Sequence, residues 1–238
     1  MPAILTPDYA ASAHQPLDRV KSIDLAMLAT RYAWAAGHAA GKDVAEIACG
    51  SGIGAGWLAR MARSLVVGDV DPRNCRVAQE TYAGWNTIRV RQIDAFDLPF
   101  RSSSLDLLVL LEAIYYLRDA ESFFEEGRRV LRRGGSLLVS TVNPEWCGFR
   151  PSPLATRYFT ASELTVSLKE SGFSTRIQAG FAERGIVNRV LEKFSARKEK
   201  IPRELEPGRN ASEKLITVGP EMDLRRYRTL YIQATKAR

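Results

Sequence analysis

The sequence predicts an α/β fold with a doubly wound, mostly parallel sheet, and three observations carry the prediction. Short apolar runs at residues 44–47, 64–70, 87–93, 104–111 and 136–142 alternate with stretches of helical period, the rhythm of strands joined by crossover helices. The first run opens into a glycine-rich turn, Cys49-Gly50-Ser51-Gly52-Ile53-Gly54, where missing Cβ atoms permit a sharp bend and close approach to a ligand. Acids stand at or beside the ends of these runs, Glu46, Asp69, Asp94 and Glu112, and in open sheets of this kind ligands bind outside the carboxyl ends of the strands.

Each element follows from its residues. Residues 20–40 carry Ile23, Met27, Tyr32 and Trp34 and read as a helix ahead of the first strand. After the glycine turn, Trp57, Leu58 and Met61 give a second helix its apolar face. The second strand ends in Asp69-Val70-Asp71-Pro72, where Pro72 suits the first position of the next helix and Asp71 suits its N-cap. The third strand ends in Asp94-Ala95; the fourth, the most apolar, ends in Leu111-Glu112. Phe123, Phe124, Val130 and Leu131 mark a helix that Arg132-Arg133-Gly134-Gly135 is expected to end before the fifth strand. The loop at 143–153, rich in proline and aromatics, falls on the same sheet edge as the acids. Thr160 with Glu163 forms a capping-box pattern. Residues 173–179 read as the sixth strand, and the alternating 229–235 as a seventh, antiparallel one. Between them lies an insert, 182–228, in which Ile186, Val187, Val190, Leu191 and Phe194 could share one face of a helix. The expected division is a helical segment or lid at 1–42 and a main domain at 43–238.

Composition sets the outer bounds. The chain has 238 residues, enough for one large domain, and its 45% hydrophobic content is that of a globular protein. The longest apolar run has strand length, so no transmembrane helix is expected. Cys49, Cys75 and Cys147 are too few and scattered for a disulfide framework or a zinc site, and with an N-terminus unlike a signal peptide they point to the cytoplasm. The net charge is +7, and residues 185–238 hold 13 Lys/Arg against 7 Asp/Glu, a balance of +6. Acids are interleaved there and aromatics are few, so a solvated, charge-rich surface outweighs a nucleic-acid surface.

The run Glu46-Ile47-Ala48-Cys49-Gly50-Ser51-Gly52 resembles motif I of the class I S-adenosylmethionine-dependent methyltransferases, with a type 11/25-like domain. Arg129-Val130-Leu131-Arg132-Arg133-Gly134-Gly135 resembles the same family's signature before strand five. Thr30-Arg31-Tyr32 resembles a His-Arg-Tyr flank of motif I, with Thr30 departing from it. The resemblance implies a Rossmann-like seven-stranded sheet of order 3-2-1-4-5-7-6 and S-adenosylmethionine as cofactor, leaving as S-adenosylhomocysteine. It further implies a cofactor site made by Arg31, Tyr32, Glu46, Ala48, Gly50, Ser51, Gly52, Asp69, Val70, Asp94, Ala95, Leu111 and Glu112. Asp69 would accept the ribose hydroxyls and Asp94 the adenine amine, while Arg31 would pair with the methionyl carboxylate, a surface arginine beside a core Tyr32 being the equal alternative. Asp94 also suits a plain turn-capping role. Gly50-x-Gly52-x-x-Ala55 formally fits a dinucleotide fingerprint too, but Glu46 before the glycines and Asp94-Ala95 after the third strand favour the methyltransferase.

The expected function is methyl transfer to a small-molecule acceptor, a sugar or other polar metabolite, by in-line displacement, with no metal. Tyr116, which aligns with a position often held by His in the family, Tyr115 and His14 are the candidate bases, although Tyr116 suits packing against substrate or core better and His14 a plain surface position; Asn143 and Glu145 are weaker ones. A base is needed only for a poorly acidic nucleophile. Two alternatives stand beside this reading: an RNA-modifying methyltransferase, suggested by the basic C-terminal quarter, and a non-catalytic scaffold that keeps the cofactor fold.

Overall fold

A computed structural model describes residues 15, 18–182, 198–200 and 214–237. Seven principal strands, β1 (Asp43–Ile47), β2 (Ser64–Asp69), β3 (Ile88–Gln92), β4 (Leu105–Leu111), β5 (Leu131–Val142), β6 (Phe173–Ala182) and β7 (Tyr227–Lys236), form one sheet. Their order is β3-β2-β1-β4-β5-β7-β6, which is the order expected from the sequence, and a two-residue strand, Ile216–Thr217, adds an eighth member beside β6. Neighbours from β3 to β5 run parallel, and β7 runs antiparallel to both β5 and β6.

The central strands are apolar throughout because both of their faces are covered. Along β4, Leu108 and Leu110 face one cluster, which also takes in Phe123, Phe124 and Leu164. Leu107, Val109 and Leu111 face the other, with Leu28, Tyr32 and Leu58. The first face carries helices α4 (Ala120–Val130) and α5 (Ala161–Glu170); the second carries α1 (Ser22–Gly37) and α2 (Ala55–Met61). On β1 the same alternation puts Glu46 on the side of Val44, toward α1.

Helix starts follow the expected chemistry. Asp71 caps α3 (Pro72–Thr81) by accepting from the Arg73 amide, and Thr160 with Glu163 closes a reciprocal capping box on α5. One boundary differs: α4 ends at Val130 and β5 begins at Leu131, so Arg132–Gly135 lies within the strand. Leu105 pairs with Leu131 and Leu107 with Ser136, and the extra residues bulge out, helped by Gly134 at φ 76°. Arg132 earns that position by reaching Asp106 at 2.6 Å and Asp43 at 3.2 Å, which ties the starts of β4, β1 and β5 together. A two-stranded ribbon pairs Arg19–Lys21 with Lys198–Lys200. The expected helix around Ile186 to Phe194 lies outside the described residues. Among the described residues, no helix is long and apolar enough to cross a membrane.

Candidate active site

A cavity of about 660 Å³ opens at the carboxyl ends of the parallel strands. Six chain segments converge on it, one of them the loop after β5, which brings Thr156. The β1 turn brings Ala48, Gly50 and Ser51; the end of β2 brings Asp69 and Val70; the stretch after β3 brings Asp94, Ala95 and Phe96. The end of β4 brings Leu111, Glu112, Tyr115 and Tyr116, and α1 closes over them with Asp24, Met27, Leu28 and Arg31. Those α1 positions recur three and four residues apart, so they occupy a single helix face.

Local backbone conformation places these groups. Ala48 at φ 54° and Glu112 at φ 53° are left-handed at the ends of neighbouring strands, a conformation costly without glycine and concentrated at functional sites. Gly50 and Gly52 supply the same conformation at φ 55° and 73°. Tyr82 reaches from the end of α3 to donate to the Gly52 carbonyl at 2.8 Å, which braces the turn.

The Asp69 carboxylate is 5% exposed and accepts three hydrogen bonds. Gly50 N–H reaches Oδ2 at 2.9 Å, while Asp71 N–H at 2.9 Å and Asn74 Nδ2 at 3.2 Å share Oδ1. A carboxylate offers about four lone-pair sites, so room remains on Oδ2. Asp94 accepts from the Phe96 amide at 2.9 Å, the turn-capping role, and also lines the cavity. Arg31 is half-buried beside the cavity, with Nε 3.3 Å from the Met27 carbonyl.

Two expected ligand residues do not line the cavity. Glu46 is 1% exposed and lies beneath it, where Tyr32 Oη donates to Oε1 at 2.7 Å and Oε2 has no hydrogen-bond partner. Burial, with Asp69 adding to it, pushes the Glu46 carboxyl up from 4.5 to about 7. Burial and the Glu46 charge likewise hold the Tyr32 phenol well above its ordinary range. Gly52 is also buried, and a Cβ there would come within 2.9 Å of Ala78 Cβ, so its smallness serves the packing of α3 against the turn. His14 lies outside the described residues. Asn143 is fully buried and does structural work: Nδ2 donates to Leu224 O at 2.8 Å and Tyr227 O at 2.9 Å, while Oδ1 accepts from the Glu145 amide.

Sequence reading missed three contributors. Asn74 stands in the first turn of α3, where a polar residue just past the Asp69 strand was a usable signal. Tyr158 stacks on Tyr115 with ring centroids 5.2 Å apart, and Ser140 points at Glu112 from β5; neither carries a local signal, because only the fold brings them there. No cluster of metal-ligating side chains occurs among the described residues.

Residues 45–139 match the methyltransferase domain family. A Mycolicibacterium smegmatis protein named as a probable S-adenosylmethionine-dependent methyltransferase is 35% identical over 147 residues, 59% of this chain and 55% of that one. The chain thus spans about half the length of the curated relatives it matches. An S-adenosylmethionine-dependent methyltransferase structure from Thermotoga maritima superposes with TM-score 0.62 at 19% identity, covering 90% of this chain and 94% of that one. The [4+2]-cyclase SpnF superposes with TM-score 0.60 at 16% identity, covering 97% and 91%. These two likenesses bear on the fold alone, whereas the family match falls on the strands and turns that build the cavity, so that residues 45–139 are similar to the methyltransferase domain family and to proteins named as S-adenosylmethionine-dependent methyltransferases.

Proposed function

We propose that the cavity holds S-adenosylmethionine and that the chain directs methyl transfer from it to a small-molecule acceptor. The observation that carries this is the convergence of the β1 turn, Asp69, Asp94 and the Leu111-Glu112 corner on one cavity. Its volume lies in the range of small-molecule sites. The donor set fits the cofactor: Asp69 has accepting capacity left for a ribose hydroxyl, Asp94 can accept from the adenine amine, and Arg31 offers a guanidinium for the methionyl carboxylate. Ala48, Gly50, Ser51, Val70, Ala95 and Leu111 form the surrounding walls.

Bound there, the cofactor supplies an electrophilic methyl group on a sulfonium. The protein's own contribution is to orient the acceptor, exclude water and receive a proton where the nucleophile carries one. The helix α1 and the aromatic side chains after β4 border the cavity and serve the exclusion.

Calorimetry with S-adenosylhomocysteine tests the reading. Binding is expected for the wild type, with Asp69→Ala raising Kd at least about 100-fold, close to 3 kcal/mol. No binding of either cofactor form at millimolar concentration would end it. The fold is shared with a [4+2]-cyclase, so cofactor binding with no methyl transfer to any acceptor would favour a cofactor-bearing scaffold or a different reaction.

A further inference from the structure

Once Asp69, Asp94 and Arg31 are given to the cofactor, the cavity retains two carboxylates, Asp24 on α1 and Glu112, and a wall of rings, of which Glu112 is the carboxylate in contact with the rings. Tyr116 and Tyr115 meet edge to face at 4.6 Å, Tyr115 stacks on Tyr158 at 5.2 Å, and Tyr158 meets Phe149 at 4.7 Å. The first two line the cavity and the others back them. The loop holding Tyr158 is fastened to the same place, since Thr156 N–H donates to the Tyr115 carbonyl at 2.7 Å and Ser152 N–H to Tyr158 Oη at 2.8 Å. The wall is therefore rigid rather than a chance gathering of side chains.

Glu112 is held loosely and from behind. Tyr115 Oη lies 3.4 Å from Oε2 and Ser140 Oγ 3.5 Å from Oε1, one long contact for each oxygen. Its backbone is pinned by donation from its amide to the Ser140 carbonyl at 2.8 Å, in the left-handed conformation. Burial and the Glu112 charge keep the Tyr115 phenol protonated, so Tyr115 is a donor to Glu112 and cannot itself be the base.

We infer that Glu112 serves the acceptor rather than the cofactor, and takes the proton from a phenolic hydroxyl whose ring stacks on Tyr115 and Tyr116. This rests on the methyltransferase reading. In the step, the acceptor oxygen bonds to the methyl carbon, the carbon–sulfur bond breaks with its electron pair going to sulfur, and the hydroxyl proton passes to a Glu112 oxygen. Three acceptor chemistries compete for such a site. An ammonium would face Arg31, which lies within electrostatic reach of Tyr115, and Arg118 at the cavity lip. A carboxylate assists an aliphatic alcohol less well than a phenol, whose pKa of about 10 is far closer to that of the base. A flat ring also matches the aromatic wall. Tyr115 is a positioning residue.

The test uses catechol as probe, with benzylamine and cyclohexanol as the amine and alcohol comparisons. The wild type is expected to bind catechol by calorimetry when loaded with S-adenosylhomocysteine, and to methylate it from S-adenosylmethionine. Glu112→Gln should lower kcat about 100-fold or more while leaving the Kd of S-adenosylhomocysteine within about threefold. With 4-nitrophenol, already ionised near pH 9, the same variant should lose less than about tenfold, because no base is needed. Tyr115→Phe removes a donor that orients the carboxylate, so kcat with catechol should fall while kcat with 4-nitrophenol near pH 9 is spared; a purely structural role lowers both alike. A tenfold weaker cofactor in Glu112→Gln, an equal loss with both phenols, or use of benzylamine or cyclohexanol in place of catechol would each overturn the inference. A wild type that binds S-adenosylhomocysteine but neither binds nor methylates catechol also overturns it. A wild type that does not bind S-adenosylhomocysteine at all instead overturns the methyltransferase reading beneath it.

Discussion

Replacing Glu46 by glutamine should change how stability depends on pH, and the size of the change can be worked from the structure. The carboxyl is fully enclosed, and burial raises it from 4.5 to about 7 against the pull of the Tyr32 hydrogen bond. In the folded chain it holds its proton up to about pH 7; in the unfolded chain it loses it near 4.5. Between those values the folded state binds more protons, so stability falls as pH rises, and the fall is complete above pH 7. At about 1.4 kcal/mol for each pH step of that interval, the loss is about 3 kcal/mol. Glutamine keeps the shape and an oxygen for Tyr32 but has no charge to bury. Urea unfolding followed by tryptophan fluorescence at pH 5, 6, 7 and 8 reads the difference between variant and wild type, in which groups common to both cancel. That difference should move by about 3 kcal/mol in favour of Glu46→Gln from pH 5 to pH 8, a midpoint shift of about 1 M urea. A difference that stays flat across this range would refute the argument and mean that Glu46 is solvated or paired by some other group.

Two further perturbations probe the supports of the site. Gly54→Ala would place a Cβ 2.3 Å from the Tyr32 ring, so Tyr32 must move off Glu46; a loss of about 1–3 kcal/mol in urea unfolding is expected, together with weaker binding of S-adenosylhomocysteine in calorimetry. Asn143→Ala strips two carbonyls and an amide of their partners. It should cost about 2–3 kcal/mol and speed protease cleavage within residues 143–158, and a variant as stable as wild type would show that the loop is held elsewhere.

How far the site could be read in advance depended on whether its signals were local. Strand ends and the turn between them are local: the apolar runs, the glycines and Asp71-Pro72 each specify their own geometry, and with them Asp69, Asp94 and the Gly50 turn reach one cavity. The α4-to-β5 boundary differs from expectation because Arg132-Arg133-Gly134-Gly135 has the composition of a stop, while Arg132 is drawn into the strand by Asp106 and Asp43, acids 26 or more residues away in the chain. Glu46 was read as a ligand because it precedes the glycines. Strand alternation, applied strictly, turns it toward α1 instead, and it needs Tyr32 there as a partner.

The same distinction separates the two halves of the cavity. The Gly50 turn, Asp69 and Asp94, proposed to hold the cofactor, follow β1, β2 and β3, which lie side by side in the sheet, so neighbours in the chain are neighbours in space. On the side inferred to take the acceptor, Glu112 at the end of β4 meets Ser140 from β5 and, through Tyr115, Tyr158 from the loop after β5. That constellation has no fixed spacing in the chain and is assembled by the sheet order alone. An acceptor site built this way can change by loop substitution without disturbing the strand ends, so differences in acceptor among chains of this fold should be sought at 143–158 and at the residues facing Glu112 rather than in the glycine turn.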